Sequence, residues 1–252
     1  MEAITVITPS VRPEGLEMNR KCLEKQDFRD FEWIVVSPFE YEKADVWLKD
    51  PPREKGDFWA LCKAWNLAYA NAKGELIVNY QDLIWMPPDT LSRLYYHFKN
   101  SPRTLVTTVG HQYTETDEFG KPQNLVWKDP RARTDQGTFY LTYPSEMEMT
   151  LCSVPRKAIL DCGGIDEAYD KGPGAQEKEM CFRLQKLGYK MYIDQSIEYR
   201  ALQHGRLTKD WDEKYLKIIT PLFTRHMMEL EAGKRKLNVG NIDKYLEINY
   251  NR

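Results

Sequence analysis

The chain has 252 residues, enough for one large α/β domain with a substantial core and too few for two comfortable ones. Its 36 Lys and Arg against 38 Asp and Glu give a formal net charge of -2, which excludes a global basic field for nucleic acid or an anionic membrane. No apolar run reaches the roughly 18 residues of a transmembrane segment, and the first strand-like run follows no basic leader. The five cysteines contain no Cys-x-x-Cys pair for a disulfide framework or a zinc site. A cytoplasmic protein is the expectation.

Residues 3–8 read as a buried strand, 15–26 as a helix and 32–37 as a second β-branched strand. Residues 57–72 put Leu61, Ala64, Trp65 and Ala68 on one helical face. Gly74 stops that helix, and 75–80 return as a strand. Pro87 and Pro88 open a helix to about residue 100, and 104–110 form the next strand. Residues 111–145 break the rhythm with turn residues, charges and aromatics, and read as a long loop, functional or disordered. Beyond it, 154–160, 175–187 and 209–231 read as helices, with 189–194 a strand between the last two. Lys234, Arg235 and Lys236 read as a solvated helix end. The alternation predicts an α/β fold whose mostly parallel sheet binds ligand at the carboxyl ends of its strands. It divides into a domain over 1–207 and a helical extension over 208–252 packed upon it.

The strongest chemical signal is Asp82, which follows a buried strand and precedes a loop and a Pro-initiated helix. An acid there serves a metal or phosphate site, or caps a turn. The run Ile4-Thr5-Val6-Ile7-Thr8-Pro9, then Cys22-Leu23-Glu24-Lys25-Gln26 and Glu32-Trp33-Ile34-Val35-Val36, resembles the opening of family-2-type GT-A glycosyltransferases. The similarity continues through Lys55-Gly56, Ala64-Trp65-Asn66, Ala70-Asn71-Ala72-Lys73-Gly74-Glu75 and the strand to Asp82. Farther on, Cys162-Gly163-Gly164-Ile165-Asp166-Glu167 and Phe182-Arg183-Leu184-Gln185-Lys186-Leu187-Gly188-Tyr189 resemble the family's Gly-Gly-x-Asp-Glu and Arg-Leu-x-x-x-Gly segments, and the resemblance as a whole covers about residues 4–204.

The resemblance implies a GT-A fold, Rossmann-like with a helical C-terminal extension, and an inverting transfer of sugar from a nucleotide-sugar donor, with UDP favoured. It implies a divalent metal, Mn²⁺ or Mg²⁺, bridging the donor diphosphate. The last acid of the family's Asp-x-Asp motif falls on Asp82, and His204 takes the place of a second ligand. Tyr80-Gln81-Asp82 keeps only that final acid, and Gln81 binds a hard cation more weakly than a carboxylate does. The family's acidic pair before Arg-Leu-x-x-x-Gly falls on Gln176 and Glu177, so Glu177 takes the general-base position, with Glu179 the next candidate. Both acids also suit a helix amino terminus.

Thr8, Pro9, Ser10, Lys55, Gly56 and Asn66 match positions that frame the nucleotide in the family. Ser37 or Glu40 substitutes for the acidic end of its second strand. Trp85, Trp127 and Tyr140 are candidate aromatics for the acceptor, or packing residues. Saccharide, protein, small-molecule and modified nucleic-acid-base acceptors all stay open. Two other readings compete: a nucleotidyltransferase, although no Gly-rich basic loop follows the first strand, and an inactive nucleotide-sugar-binding module, suggested by Gln81 and Gln176.

Overall fold

A computed structural model describes residues 2–117, 120–204 and 210–250. The predicted domain boundary between 207 and 208 lies outside the described residues. One mixed sheet runs through the molecule in the order β3-β2-β1-β4-β9-β6-β10-β5, where β1 is Ile4–Pro9, β2 Phe31–Ser37, β3 Val46–Lys49, β4 Leu76–Tyr80, β5 Ile84–Trp85, β6 Thr104–Thr116, β9 Leu151–Pro155 and β10 Lys190–Leu202. Two further strands, β7 (Pro122–Trp127) and β8 (Phe139–Leu141), add antiparallel to β6 and β10.

The half made of β3, β2, β1 and β4 is parallel, as the alternating pattern requires. The other half is not: β9 runs antiparallel to both β4 and β6, and its neighbour β6 pairs parallel with β10. Residues 154–160, expected as a helix, are instead the end of β9 and the start of α4 (Arg156–Cys162). All of β9 is buried, so it shows no alternation, and a short apolar run of that kind has no periodicity to tell strand from helix. The expected long loop over 111–145 holds the outer half of β6 together with β7 and β8. The outer half of β6 is polar and partly exposed, and the apolar parts of β7 and β8 are only three residues long, too short to show a strand period.

Period-two alternation divides the core into two layers. Ile4, Val6, Trp33, Val35, Leu76 and Val78 face α1 (Pro13–Leu23) and α3 (Thr90–Asn100). Ile7, Ile34, Val36 and Ile77 face α2 (Leu61–Asn71), α4 and α5 (Gln176–Lys186). Each face is covered by helices, so both sets are buried and β1, β2 and β4 read as continuous apolar runs. All five cysteines are buried and free, and among the described residues no helix is long and apolar enough to cross a membrane.

The C-terminal extension packs on the α5 side. α6 (Trp211–Lys214), a π-helical turn (Tyr215–Ile219) and α7 (Thr220–Glu231) follow one another, and α8 (Asp243–Tyr250) closes the chain. Ile219 and Ile242 enter the core. Arg235, expected in a solvated basic end, is instead half-buried, 2.7 Å from Glu179 and 2.6 Å from Asp166. A guanidinium fork can satisfy two carboxylates at once, and that removes it from solvent.

Candidate functional site

The carboxyl ends of β1, β2 and β4 open on a cavity of about 500 Å³, the place where a parallel sheet offers groups to ligand. Pro9, Ser10 and Arg12 come from the end of β1, Val36 from β2, and Gln81 and Asp82 from the end of β4. Asp50 and Arg53 follow β3, Trp59 and Ala60 lead into α2, whose first turns supply Leu61, Ala64 and Trp65, and Gln176 and Glu177 open α5. His204 and Trp211 close the rim.

Asp82 is held by both oxygens. The Arg12 guanidinium donates to Oδ1 at 2.6 Å and the Ser10 hydroxyl donates to Oδ2 at 2.5 Å. The other arm of the guanidinium lies 3.3 Å from His204 Nδ1. α1 reaches this close because Gly15 has no side chain: a Cβ there would sit 2.8 Å from the Cβ of Asp82. The Asn19 amide also donates to the Gln81 carbonyl at 2.9 Å, which pins α1 to the end of β4.

Glu177 differs. Its Oε2 is buried and has no hydrogen-bond partner, and burial, with a smaller push from the nearby Glu148, raises its carboxyl above the usual range. Trp59 Nε1 and Gln176 Oε1 are likewise buried without partners, and all three residues line the cavity. Orphaned buried polar atoms are rare in folded proteins because each costs about 1–3 kcal/mol. Of the four such side-chain atoms among the described residues, three belong to residues of this cavity wall and the fourth is Asn19 Oδ1. Trp59 and Trp211 meet edge to face at 5.4 Å and form an aromatic wall.

Among the described residues, two of the three non-glycine residues with positive φ adjoin the two carboxylates: Leu83 (φ 59) follows Asp82, and Ala175 (φ 66) precedes Gln176 and Glu177. A left-handed backbone costs a side-chain-bearing residue roughly 1–2 kcal/mol. Such strain gathers where a turn must aim functional groups.

The cavity therefore unites Pro9, Ser10, Gln81, Asp82, Glu177 and His204 of the predicted set. It does not include the rest. Glu179 is fully buried, bonded to Arg183 at 3.0 Å and Arg235 at 2.7 Å, and is a structural counter-ion one helical step past the cavity. The Thr8 hydroxyl accepts from Trp33 Nε1 at 3.0 Å, and that of Ser37 from Trp47 Nε1 at 3.0 Å. Asn66 is buried and clamps both the N–H and the carbonyl of Ile165 at 2.8 Å. Glu40, Lys55 and Gly56 are exposed and off the cavity wall. Of the aromatics, Trp85 lies under the Lys121 ammonium at 4.7 Å, Tyr140 is buried with its hydroxyl on the Arg131 carbonyl, and Trp127 is exposed on β7.

Arg12, Asp50, Arg53, Trp59 and Trp211 were not singled out by the sequence. Arg12 had a usable signal: a cation between the end of a strand and a Pro-initiated helix stands at the ligand edge of the sheet.

The residues expected to hold a divalent cation lie against a cation of the chain itself. Among the described residues no group of three or more His, Cys, Asp or Glu side chains is arranged to hold a metal. The two expected ligands, Asp82 and His204, stand on two sides of one guanidinium.

No family model matches the sequence, and no curated protein matches it either. Among solved structures the fold is similar to that of GalNAc-T7, a GT-A fold glycosyltransferase crystallised with UDP, GalNAc and Mn²⁺, at a TM-score of 0.59 and 12% identity. The match covers 81% of this chain and 44% of that one, so this chain spans less than half of that neighbour's length. The architecture is thus an α/β fold of the GT-A type, a central sheet flanked by helices.

Proposed function

We propose that this chain is a glycosyltransferase that moves a sugar from a nucleoside-diphosphate donor, with UDP favoured, to a hydroxyl acceptor with inversion. The observation that carries the reading is Glu177: a buried carboxylate with an unpartnered oxygen on a cavity at the ligand edge of a GT-A fold. Its raised pKa suits a general base, because the ideal base titrates near the working pH. The acceptor oxygen bonds to the anomeric carbon as the bond from that carbon to the phosphate oxygen breaks. The acceptor proton passes to Glu177, and the electron pair leaves with the nucleoside diphosphate.

The nucleoside lies between the Trp59 and Trp211 wall and Asp50, whose half-buried carboxylate accepts from ribose or base N–H and O–H groups. The sugar and phosphates extend toward Asp82 and Glu177. This reading is tested by a thermal-shift screen of UDP, GDP, CDP and ADP, followed by hydrolysis of the matching nucleotide-sugar. A rise in melting temperature followed by release of free sugar is expected, and the absence of any shift overturns the reading. A nucleotide shift without any release, even with acceptors, favours the non-catalytic binding module to which Gln81 and Gln176 point.

A further inference from the structure

We infer that Arg12, rather than a cation held by Asp82 and His204, supplies the positive charge that binds the donor diphosphate in this cavity. The inference rests on the nucleotide-dependent reading above and concerns the group that meets the phosphates. Arg12 stands at the end of β1 as the residue before α1, with extended backbone (φ -126, ψ 105) and Pro13 next to it, so its side chain leaves a fixed point on the cavity rim. Its side chain is 17% exposed and that of Asp82 10%, so the pair is largely withdrawn from solvent.

A guanidinium is a permanent cation with five donors in a planar fork, a match for phosphate oxygens that one carboxylate oxygen at 2.6 Å does not exhaust. Asp82, fixed in turn by Ser10, acts as the positioning residue that aims this fork. A divalent ion on Asp82 and His204 would have to expel the guanidinium from between them. The arrangement instead places the resident Arg12 guanidinium, with Arg53 farther along the same wall, to meet the charge that grows on the departing diphosphate.

The test is calorimetric titration of UDP, GDP, CDP and ADP, and of their nucleosides, into the full chain in EDTA and in 1 mM MnCl₂. The binding diphosphate is expected to bind in EDTA with an affinity that Mn²⁺ changes less than about threefold. Arg12→Ala should lower that affinity about tenfold or more, the usual scale for a lost charge-assisted bond, and leave the nucleoside's affinity unchanged. Arg12→Lys should keep part of the loss, which serves if the alanine variant fails to fold. Asp82→Asn should still bind the diphosphate in EDTA, with a smaller loss than Arg12→Ala, because the amide oxygen keeps an acceptor that aims the guanidinium. Binding that needs Mn²⁺ and disappears in Asp82→Asn while surviving in Arg12→Ala overturns the inference and leaves the proposed function standing. No binding of any diphosphate or nucleoside under either condition overturns both.

Discussion

The cavity and the C-terminal buttress are both rich in charge, yet they handle it in opposite ways. In the buttress each carboxylate is matched: Glu179 bonds to Arg183 and Arg235, and Asp166 takes the other arm of Arg235. His226 lies 3.9 Å from the same Asp166 and 3.2 Å from the Tyr169 hydroxyl. At the cavity two steps away along α5, Glu177 keeps a buried oxygen without a partner, and the turn that carries it is strained. Satisfied charges fix the C-terminal segment to the domain. An unsatisfied carboxylate oxygen keeps hydrogen-bonding capacity that a ligand can take up.

Breaking the buttress is expected to have the largest effect. Glu179→Ala leaves Arg183, which has no exposed side-chain surface, with its charge uncompensated, and losses of about 3–5 kcal/mol follow from splitting a buried pair. Chemical denaturation of Glu179→Ala and Arg235→Ala should show both destabilised, with Arg235→Ala the milder because its partner Asp166 is less buried. A wild-type unfolding midpoint for Glu179→Ala would return this residue to the list of candidate bases.

Glu177→Gln should behave in the opposite way. Transfer falls about 10²-fold or more, the scale of a lost general base, while folding stability holds or rises, since a neutral amide is easier to bury than an unpartnered carboxylate. Paired measurements of turnover and of the unfolding midpoint decide it. A variant that loses both together places Glu177 with the buttress.

The contrast explains what the sequence made legible. The parallel half of the sheet could be read because β1, β2 and β4 are buried on both faces and bounded by turns, and Asp82 followed from its place after β4. Glu177 and Glu179 looked alike because both sit in the first turn of one helix. The spacing of Glu179 to Arg183, i to i+4, was the signal that one of them belonged to an ion pair. Nothing local announced Arg12 against Asp82, 70 residues apart, or Arg235 against Asp166, 69 apart. Asp50 was hidden because β3 is a short, partly exposed strand with none of the burial that marks its neighbours.

A subtler difference lies between helix starts. Asp170 accepts from the Cys62 and Lys63 amides at 2.8 and 3.2 Å, capping α2 beside the cavity, and burial pushes its carboxyl from 3.8 up to about 6. The folded protein therefore holds the Asp170 proton more tightly than the unfolded chain does. The associated stability is complete below about pH 4 and is lost as the pH rises through about 6. The melting temperature of the wild type relative to Asp170→Asn should thus fall across that window at constant ionic strength. Parallel curves would mean that the two amides stabilise the carboxylate as much as burial opposes it.

The smallest effect concerns the turn that aims Glu177. Ala175 has φ 66 and its side chain is 6% exposed, so replacement by glycine removes a strained left-handed alanine and one buried methyl together. Relief of roughly 1–2 kcal/mol is offset by about 0.8 kcal/mol of lost burial and by the greater freedom of glycine in the unfolded chain, about 0.4–1 kcal/mol. Ala175→Gly should therefore be close to neutral. Ala68→Gly, in the interior of α2 and wholly buried, has the same two losses without the relief and should cost about 1–2 kcal/mol. Equal losses for the two variants, measured side by side in urea, would mean that Ala175 carries no strain. The orphaned oxygens of Gln176 and Glu177 would then be what sets the start of α5 apart.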